Sequence, residues 1–108
     1  MSAYSEVKRA YTERTRKLNF LASRPVRATS LPAVLKAIGQ YNEFNPSRVA
    51  RAIISVDKRA SVYVGREGSP ALYIKTTPAK APRMRAALKA ARADEIGTKK
   101  GYIRAWWD

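Results

Sequence analysis

The spacing of apolar residues changes from a helical to an alternating period near Val56, and this change limits the folds open to the chain. Before Val56 the apolar side chains recur every three or four residues, which predicts amphipathic helices. After it, Val62 and Val64 alternate with Ser61 and Tyr63, which predicts a β-strand with two unlike faces. The sequence therefore predicts the α+β class, with helices first and a sheet later.

Two helices are predicted before residue 42. In residues 2–21 the apolar positions follow spacings of three, four and seven, and this stripe includes Leu18 and Leu21. Residues 30–41 carry the most convincing stripe in the chain, with Ser30 in position to cap the helix. We expect this second stripe to face the core.

A third helix, residues 46–54, has a specific start signal. Asn45 is a good N-cap, and Pro46 stands at the first helical position, where its missing N–H would have had no partner. Phe44 before the cap and Val49 at the fourth position match a hydrophobic staple, which fixes the angle at which the chain enters the helix. The face left outward carries Ser47, Arg48 and Arg51.

Residues 61–75 are predicted to form a β-hairpin, because two alternating segments flank a stretch of turn-forming residues at 65–70. An isolated hairpin is marginal in water, so it must pack on the helices or gain a third strand. The hairpin has a basic tip at Arg66. The basic residues on or beside it are Lys58, Arg59, Arg66 and Lys75.

Residues 77–108 are predicted to be a basic C-terminal helix and aromatic tail, distinct from a core of residues 1–76. The helix covers residues 82–96 and ends at Gly97, and it has only a thin apolar stripe. Its outward cations are Arg83, Arg85, Lys89 and Arg92.

The tail contains both tryptophans, Trp106 and Trp107, whose large apolar surface is costly to expose. Three arrangements remain open. The tail folds back as a third strand with Ile103 and Trp107 on one side, docks on a partner protein or a second copy, or stacks on unpaired bases. The fold-back is favoured, because aromatic residues in small domains are usually core.

The charge predicts the partner. The chain has 22 Lys and Arg against 8 Asp and Glu, a net charge of +14 that opposes compaction unless a polyanion such as nucleic acid relieves it. It has no His and no Cys, which excludes imidazole and thiol catalysis and the usual zinc sites. We therefore predict no enzyme activity, no metal and no cofactor. No membrane span or signal peptide is predicted, so we expect a cytoplasmic or nucleoid-associated protein.

The order helix, helix, short turn, helix and hairpin over residues 2–76 resembles winged helix-turn-helix DNA-binding domains, at the level of architecture. The resemblance implies that residues 30–41 form the supporting helix, residues 46–54 the recognition helix in the major groove, and residues 61–75 the wing. It also implies that Ser47, Arg48 and Arg51 lie in the groove, with Lys58, Arg59, Arg66 and Lys75 on the DNA backbone.

The leading hypothesis is a double-stranded DNA-binding protein of low or no sequence specificity, which coats, organises or regulates DNA in a phage, plasmid or nucleoid setting. Residues that pair with adenine are scarce on the predicted recognition helix, which argues against specific readout. One alternative is an RNA- or single-strand-binding module that stacks bases on Tyr63, Tyr73 and the tryptophans. Another is a non-catalytic inhibitor or adaptor that docks on an acidic host protein. A homodimer fits the helix-turn-helix reading, although no heptad seam defines its interface.

Overall fold

The computed structural model describes residues 2–12 and 16–108, which fold as four α-helices and an antiparallel sheet. The α+β class is therefore confirmed. A 3-10 turn, Ala28–Ser30, leads directly into the second helix. In chain order the elements are α1 (Ala3–Tyr11), β1 (Asn19–Leu21), β2 (Val26–Arg27), α2 (Leu31–Lys36), α3 (Pro46–Val56), β3 (Ser61–Glu67), β4 (Ser69–Lys75), α4 (Ala81–Ala90), β5 (Glu95–Lys99) and β6 (Tyr102–Trp106).

The sheet has the strand order β1-β3-β4-β6-β5, and the short β2 also pairs with β3. On β3 and β4 the alternation seen in the sequence decides the faces: Val62, Val64, Leu72 and Ile74 are buried. These residues form one core with the buried residues of all four helices. The helices therefore lie on this face of the sheet, and the opposite face is turned outward.

The predicted hairpin is confirmed as β3 and β4, which pair from Ser61 with Lys75 to Glu67 with Ser69. Both of its strands are paired on their outer sides as well, β3 with β1 and β2 and β4 with β6. The hairpin is thus the middle of the sheet. A helix-turn-helix with a protruding wing is not confirmed.

The aromatic tail folds back as the third strand, as favoured from the sequence. It forms β6, which pairs with β4, and Ile103 and Trp107 are buried on one side. Trp106 points to the outer face and is half-buried, with its Nε1–H donating to the carbonyl of Glu67 at 3.0 Å. The predicted division at residue 76 falls between β4 and α4, and the parts on either side of it share one sheet and one core.

The start of α3 is as predicted. The side chain of Asn45 accepts a hydrogen bond from the backbone N–H of Arg48 at 3.0 Å, and Pro46 occupies the first turn. Phe44 and Val49 are both fully buried, as a hydrophobic staple requires. The helix runs two residues beyond the predicted end at 54, to Val56.

The helix predicted over residues 2–21 is wrong after Tyr11. Residues 19–21 are β1 instead, held against β3, and the neighbouring Leu18 carbonyl accepts from the N–H of Gly68 at 2.7 Å. Leu18 and Leu21 are 63% and 54% exposed, so they are not part of a buried helical stripe. Residues 13–15, which the prediction also covered, lie outside the described residues.

Two further helix limits differ from the prediction. α2 ends at Lys36, and Ser30 makes no side-chain cap because it continues the preceding 3-10 turn in a helical conformation. α4 ends at Ala90 rather than near Gly97, because Arg92 adopts a φ of +73° and the N–H of Ala93 returns to the Leu88 carbonyl at 3.1 Å. This is a Schellman-type C-cap, with arginine where glycine is usual.

Candidate nucleic-acid interface

Helices α3 and α4 pack side by side and run antiparallel. Lys80, just before α4, lies 3.5 Å from the carboxylate of Asp57, just after α3. At the other end, the indole of Trp107 donates to the Ala91 carbonyl at 3.0 Å and meets the ring of Phe44 edge-on, with centroids 5.2 Å apart. Each end of α4 is therefore tied to the opposite end of α3.

An open groove of about 730 Å³ lies between these two helices, and we call it the α3–α4 groove. The wall from α4 consists of alanines, which leave room for another molecule to approach the helix backbone. The wall from α3 is polar and basic. Its lining includes Ser47, Arg48, Arg51 and Ser55 from α3, and Ala87, Ala90 and Ala91 from α4.

The three residues predicted on the outward face of α3 are thus brought together in the groove. The guanidinium of Arg48 donates to the backbone carbonyl of Glu43 at 2.7 Å and lies 3.6 Å from its carboxylate. The guanidinium of Arg51 is exposed, and its one contact within the described residues is at 3.4 Å from the hydroxyl of Ser47. Arg83 is exposed one helical turn before Ala87, so it extends the same face of α4.

The carboxylate of Asp57, at the far end of the groove, is buried and already bonded, and its negative charge is balanced by Lys80. It accepts from the hydroxyl of Thr76 at 2.6 Å and from the backbone N–H of Arg59 at 2.9 Å. These bonds, led by the one from Thr76 and helped by the charge of Lys80, outweigh the effect of burial and hold the pKa of Asp57 below its ordinary value. The side chains of Lys58 and Arg59 are exposed in this turn.

Other predicted site residues lie elsewhere on the helical side. The guanidinium of Arg85 donates to the hydroxyl of Thr98, so Arg85 lies on the flank of α4 that faces β5. Lys89, one turn further on, continues that flank and is exposed, and Arg92 is exposed at the end of α4. These three cations surround the groove without lining it.

Arg66 and Lys75 are separate from the groove. The exposed position predicted for Arg66 at a hairpin tip is wrong: its side chain is 3% exposed, and its guanidinium lies 4.9 Å from the ring centroid of Tyr11. The alternation in the sequence already indicated that Arg66 is buried, because Arg66 is two residues from Val64 and four from Val62 and so lies on the same face of the strand. Lys75 is on the outward face of the sheet.

The outward face carries a group of aromatic and basic side chains, which we call the open sheet face: Tyr63, Tyr73, Lys75, Lys99 and Tyr102. Tyr63 and Tyr73 are cross-strand partners on this face. Tyr102 joins them from β6, with its ring centroid 5.9 Å from that of Tyr63. The sequence analysis missed Tyr102 and Lys99, although Tyr102, Arg104 and Trp106 alternate with Ile103, Ala105 and Trp107.

A charge network lies beside these tyrosines. Arg104 contacts Glu67 at 2.7 Å and Glu95 at 3.1 Å, and the hydroxyl of Tyr73 donates to Glu67. The bond from Arg104 is the main reason why the pKa of Glu67 is below its ordinary value. Burial, followed by the bond to Glu67, raises the pKa of Tyr73 above its ordinary value. Arg104 therefore balances one of the two negative charges of this network.

Among the described residues, no group of three or more acidic side chains is arranged to hold a metal ion. Within residues 2–12 and 16–108, no helix has the length and apolar character needed to cross a membrane.

Comparison with protein-family models, curated proteins and solved structures finds no match to this chain. Its function is therefore inferred from the geometry and charge of its own surface.

Proposed function

We propose that this protein binds double-stranded DNA along its phosphate backbone, with little dependence on base sequence, at the α3–α4 groove. The observation that carries the proposal is the pairing of two antiparallel helices around a groove with arginines on its rim and alanines on its wall. Arginine suits this role because its planar guanidinium matches the geometry of phosphate. The alanines allow a DNA strand to approach the backbone of α4 closely.

The charge of this region supports a polyanionic partner. Six cations line the groove or lie at its ends, apart from Arg85 and Lys89 on the flank towards β5 and from Lys80, which is paired with Asp57. The carboxylate of Glu43 is likewise paired with Arg48. Neutralising about six phosphates would give a slope of about −5 for log affinity against log salt on duplex DNA. The six cations are Arg48, Arg51, Lys58, Arg59, Arg83 and Arg92.

The same lining argues against base-specific recognition. Asparagine and glutamine are the side chains that pair best with adenine. Asn45 is the amide that lines the groove, and its oxygen is engaged in capping α3. Arg48 is held by Glu43, which leaves Arg51 and Arg83 as the exposed cations on the groove side of the two helices. Contacts of this kind position a duplex without reading it.

The test is a salt titration of affinity, followed by fluorescence anisotropy, for a 30-mer of random sequence as duplex DNA, single-stranded DNA and duplex RNA. We expect tight binding to duplex DNA with the steep slope given above. A second 30-mer of unrelated sequence should bind within about threefold. Failure to bind the DNA duplex at low salt would overturn the proposal and direct attention to an acidic protein partner.

A pair of double variants locates the binding surface. Arg51→Gln with Arg83→Gln should weaken duplex binding and reduce the salt slope by about 2, because two phosphate contacts are lost. Lys17→Gln with Lys36→Gln removes the same charge from exposed positions away from the groove. Equal losses in the two double variants would show that net charge, and not the groove, governs binding.

A further inference from the structure

A shallow depression of about 280 Å³ lies on the open sheet face, on the other side of the sheet from the helices. Its walls are three aromatic rings, Tyr63, Tyr73 and Tyr102, together with Leu21, Lys99 and Lys100. The volume is just below the range of about 300–1,000 Å³ typical of pockets for drug-sized ligands. It therefore suits one flat group of an extended molecule, such as a nucleobase, rather than a whole small ligand.

The lysines of this face are stacked on the rings that a base would use. The ammonium of Lys75 lies 5.4 Å from the ring centroid of Tyr102, and that of Lys99 lies 5.8 Å from the centroid of Tyr73. A cation over an exposed ring is a weaker contact than a base stacked on the same ring. An arriving base can therefore displace the ammonium group, which then meets the phosphate attached to that base.

We propose that the open sheet face is a second nucleic-acid site, which binds unpaired nucleotides by stacking bases on Tyr73 and Tyr102 and neutralising phosphates with Lys75, Lys99 and Lys100. This site is separate from the α3–α4 groove and does not depend on it. Stacking requires no particular base, so the site accepts single-stranded DNA or RNA. A protein with both sites would bind where a duplex meets a single strand.

Charge favours a nucleic acid over a second copy of the chain at this face. Arg104, Glu67 and Glu95 together carry one net negative charge, which is outweighed by the three positive charges of Lys75, Lys99 and Lys100. Lys75, Lys99 and Lys100 are exposed and have no acidic partner at salt-bridge distance within the described residues. Two copies meeting face to face would bring these lysines together, whereas a phosphate chain neutralises them.

The backbone at Lys100 is a second, independent observation. Lys100 and Gly101 form the two-residue turn between β5 and β6, with φ angles of +51° and +83°. Such a turn strongly prefers asparagine or glycine at its first position, and a lysine there is uncommon. The turn thus carries a cation at the rim of the depression at a cost to its own stability. A strained residue beside a pocket is consistent with a role in binding.

The test uses the full chain and two oligonucleotides, dT12 and rU12, with affinity measured by anisotropy. Tyr73→Leu with Tyr102→Leu should weaken binding to both by at least about tenfold, because each stacked base contributes on this scale. Tyr73→Phe with Tyr102→Phe keeps the rings and should bind within about twofold of the native chain. Equal affinity of the Leu and Phe double variants would overturn the proposal.

The variant Lys100→Asn distinguishes the effect of Lys100 on binding from its effect on the stability of the turn. Asparagine suits the positive φ, so this variant should melt at a higher temperature than the native protein. It should nevertheless bind dT12 more weakly, with a salt slope less steep by about 0.7, because one phosphate contact on a single strand is lost. Unchanged affinity and slope would show that Lys100 serves the turn alone and would remove it from the site.

The proposals for the two sites can be refuted independently of each other. The Leu double variant should keep native affinity for a blunt duplex, and Arg51→Gln with Arg83→Gln should keep most of its affinity for dT12. If dT12 binding falls only in the arginine variant, the sheet site is wrong and the groove stands. If dT12 binding falls only in the Leu variant and the duplex does not bind at all, the groove is wrong and the sheet site stands.

If the Leu double variant does not fold, a crosslinking measurement on the native protein tests the proposed site instead. A 12-mer with 5-iodouracil at its central positions is crosslinked by ultraviolet light, and the modified peptide is identified by mass spectrometry. We expect crosslinks at Tyr73 or Tyr102. Crosslinks confined to residues of α3 and α4 would overturn the proposal.

Discussion

Replacing Trp107 by phenylalanine should destabilise the protein strongly, because this side chain joins the tail to the end of α4. Its indole is fully buried, and its N–H satisfies the carbonyl of Ala91, one of the last carbonyls of the helix. Phenylalanine keeps a ring against Phe44 but cannot donate this bond. Leaving a buried carbonyl unpaired costs about 1–3 kcal/mol. The unfilled volume adds roughly 1 kcal/mol.

The matched control is Trp106→Phe, which also removes an indole donor. Trp106 is half-buried, and its bond to the Glu67 carbonyl can be replaced by water. We expect Trp106→Phe to lower the free energy of unfolding by about 0.5–1.5 kcal/mol, and Trp107→Phe to lower it by about 2–4 kcal/mol. At about 4 °C per kcal/mol for a domain of this size, the melting temperatures should fall by about 2–6 °C and about 8–16 °C.

Urea unfolding followed by far-ultraviolet circular dichroism is the suitable assay, because both variants change the tryptophan fluorescence. The slope of unfolding free energy against urea should stay constant, which shows that the same surface is exposed in each case. Equal losses in the two variants, or a loss below about 0.5 kcal/mol for Trp107→Phe, would refute the buried capping role of this indole.

Two further predictions concern the buried carboxylate of Asp57 and the close backbone contact at Gly65. Asp57→Asn should cost about 1–2 kcal/mol at pH 7, because the bonds from Thr76 and the nearby backbone favour the charged form. The lowered pKa of Asp57 means that its stabilisation is present above the ordinary value of 3.8 and is lost as the pH falls through the folded-state pKa. The difference in melting temperature between native protein and variant should therefore shrink from pH 6 to pH 3, and a constant difference would contradict the argument. Gly65→Ala should cost about 1–3 kcal/mol, since a methyl group there would lie 2.7 Å from the carbonyl oxygen of Phe20. Gly97→Ala is the control, with nothing within 4 Å, and should change the urea midpoint little; similar shifts would refute the close approach.

The parts of the fold that sequence predicts best are those set by local chemistry. The N-cap of α3 needs only Asn45 and Pro46, and the hairpin needs only alternation around a turn. The first helix was overextended because helical spacing continued past Tyr11, whereas pairing with β3 made residues 19–21 a strand. That pairing is a tertiary effect, and no pattern within the segment reveals it.

The predicted end of α4 was wrong for a related reason. Gly97 is the residue that usually ends a helix, yet the positive φ is taken by Arg92, five residues earlier. Residues 95–99 are strand because β6 offers them a partner. The predicted helix therefore included Glu95 and Ile96, which belong to β5.

The two candidate sites were visible from sequence to different extents. The outward face of α3 was predicted from its cap and its spacing, but its neighbour α4 was assigned to a separate part of the chain. In the sequence, the open sheet face was visible only as Tyr63, Tyr73 and Lys75. Adding Tyr102 and Lys99 required the strand order, which places β6 beside β4 and β5 beside β6.

The position of β6 between β4 and β5 has a consequence for how the protein is made. While the ribosome is still synthesising residues 102–107, β5 has no neighbour in the sheet and the outer edge of β4 is unpaired. The indole that closes the end of α4 is also missing at that stage. The nascent chain therefore cannot complete this sheet until residues 102–107 have been made, and an open strand edge is a route to aggregation. The strong positive charge that the finished protein offers to its partner would, in this interval, keep unfinished copies apart.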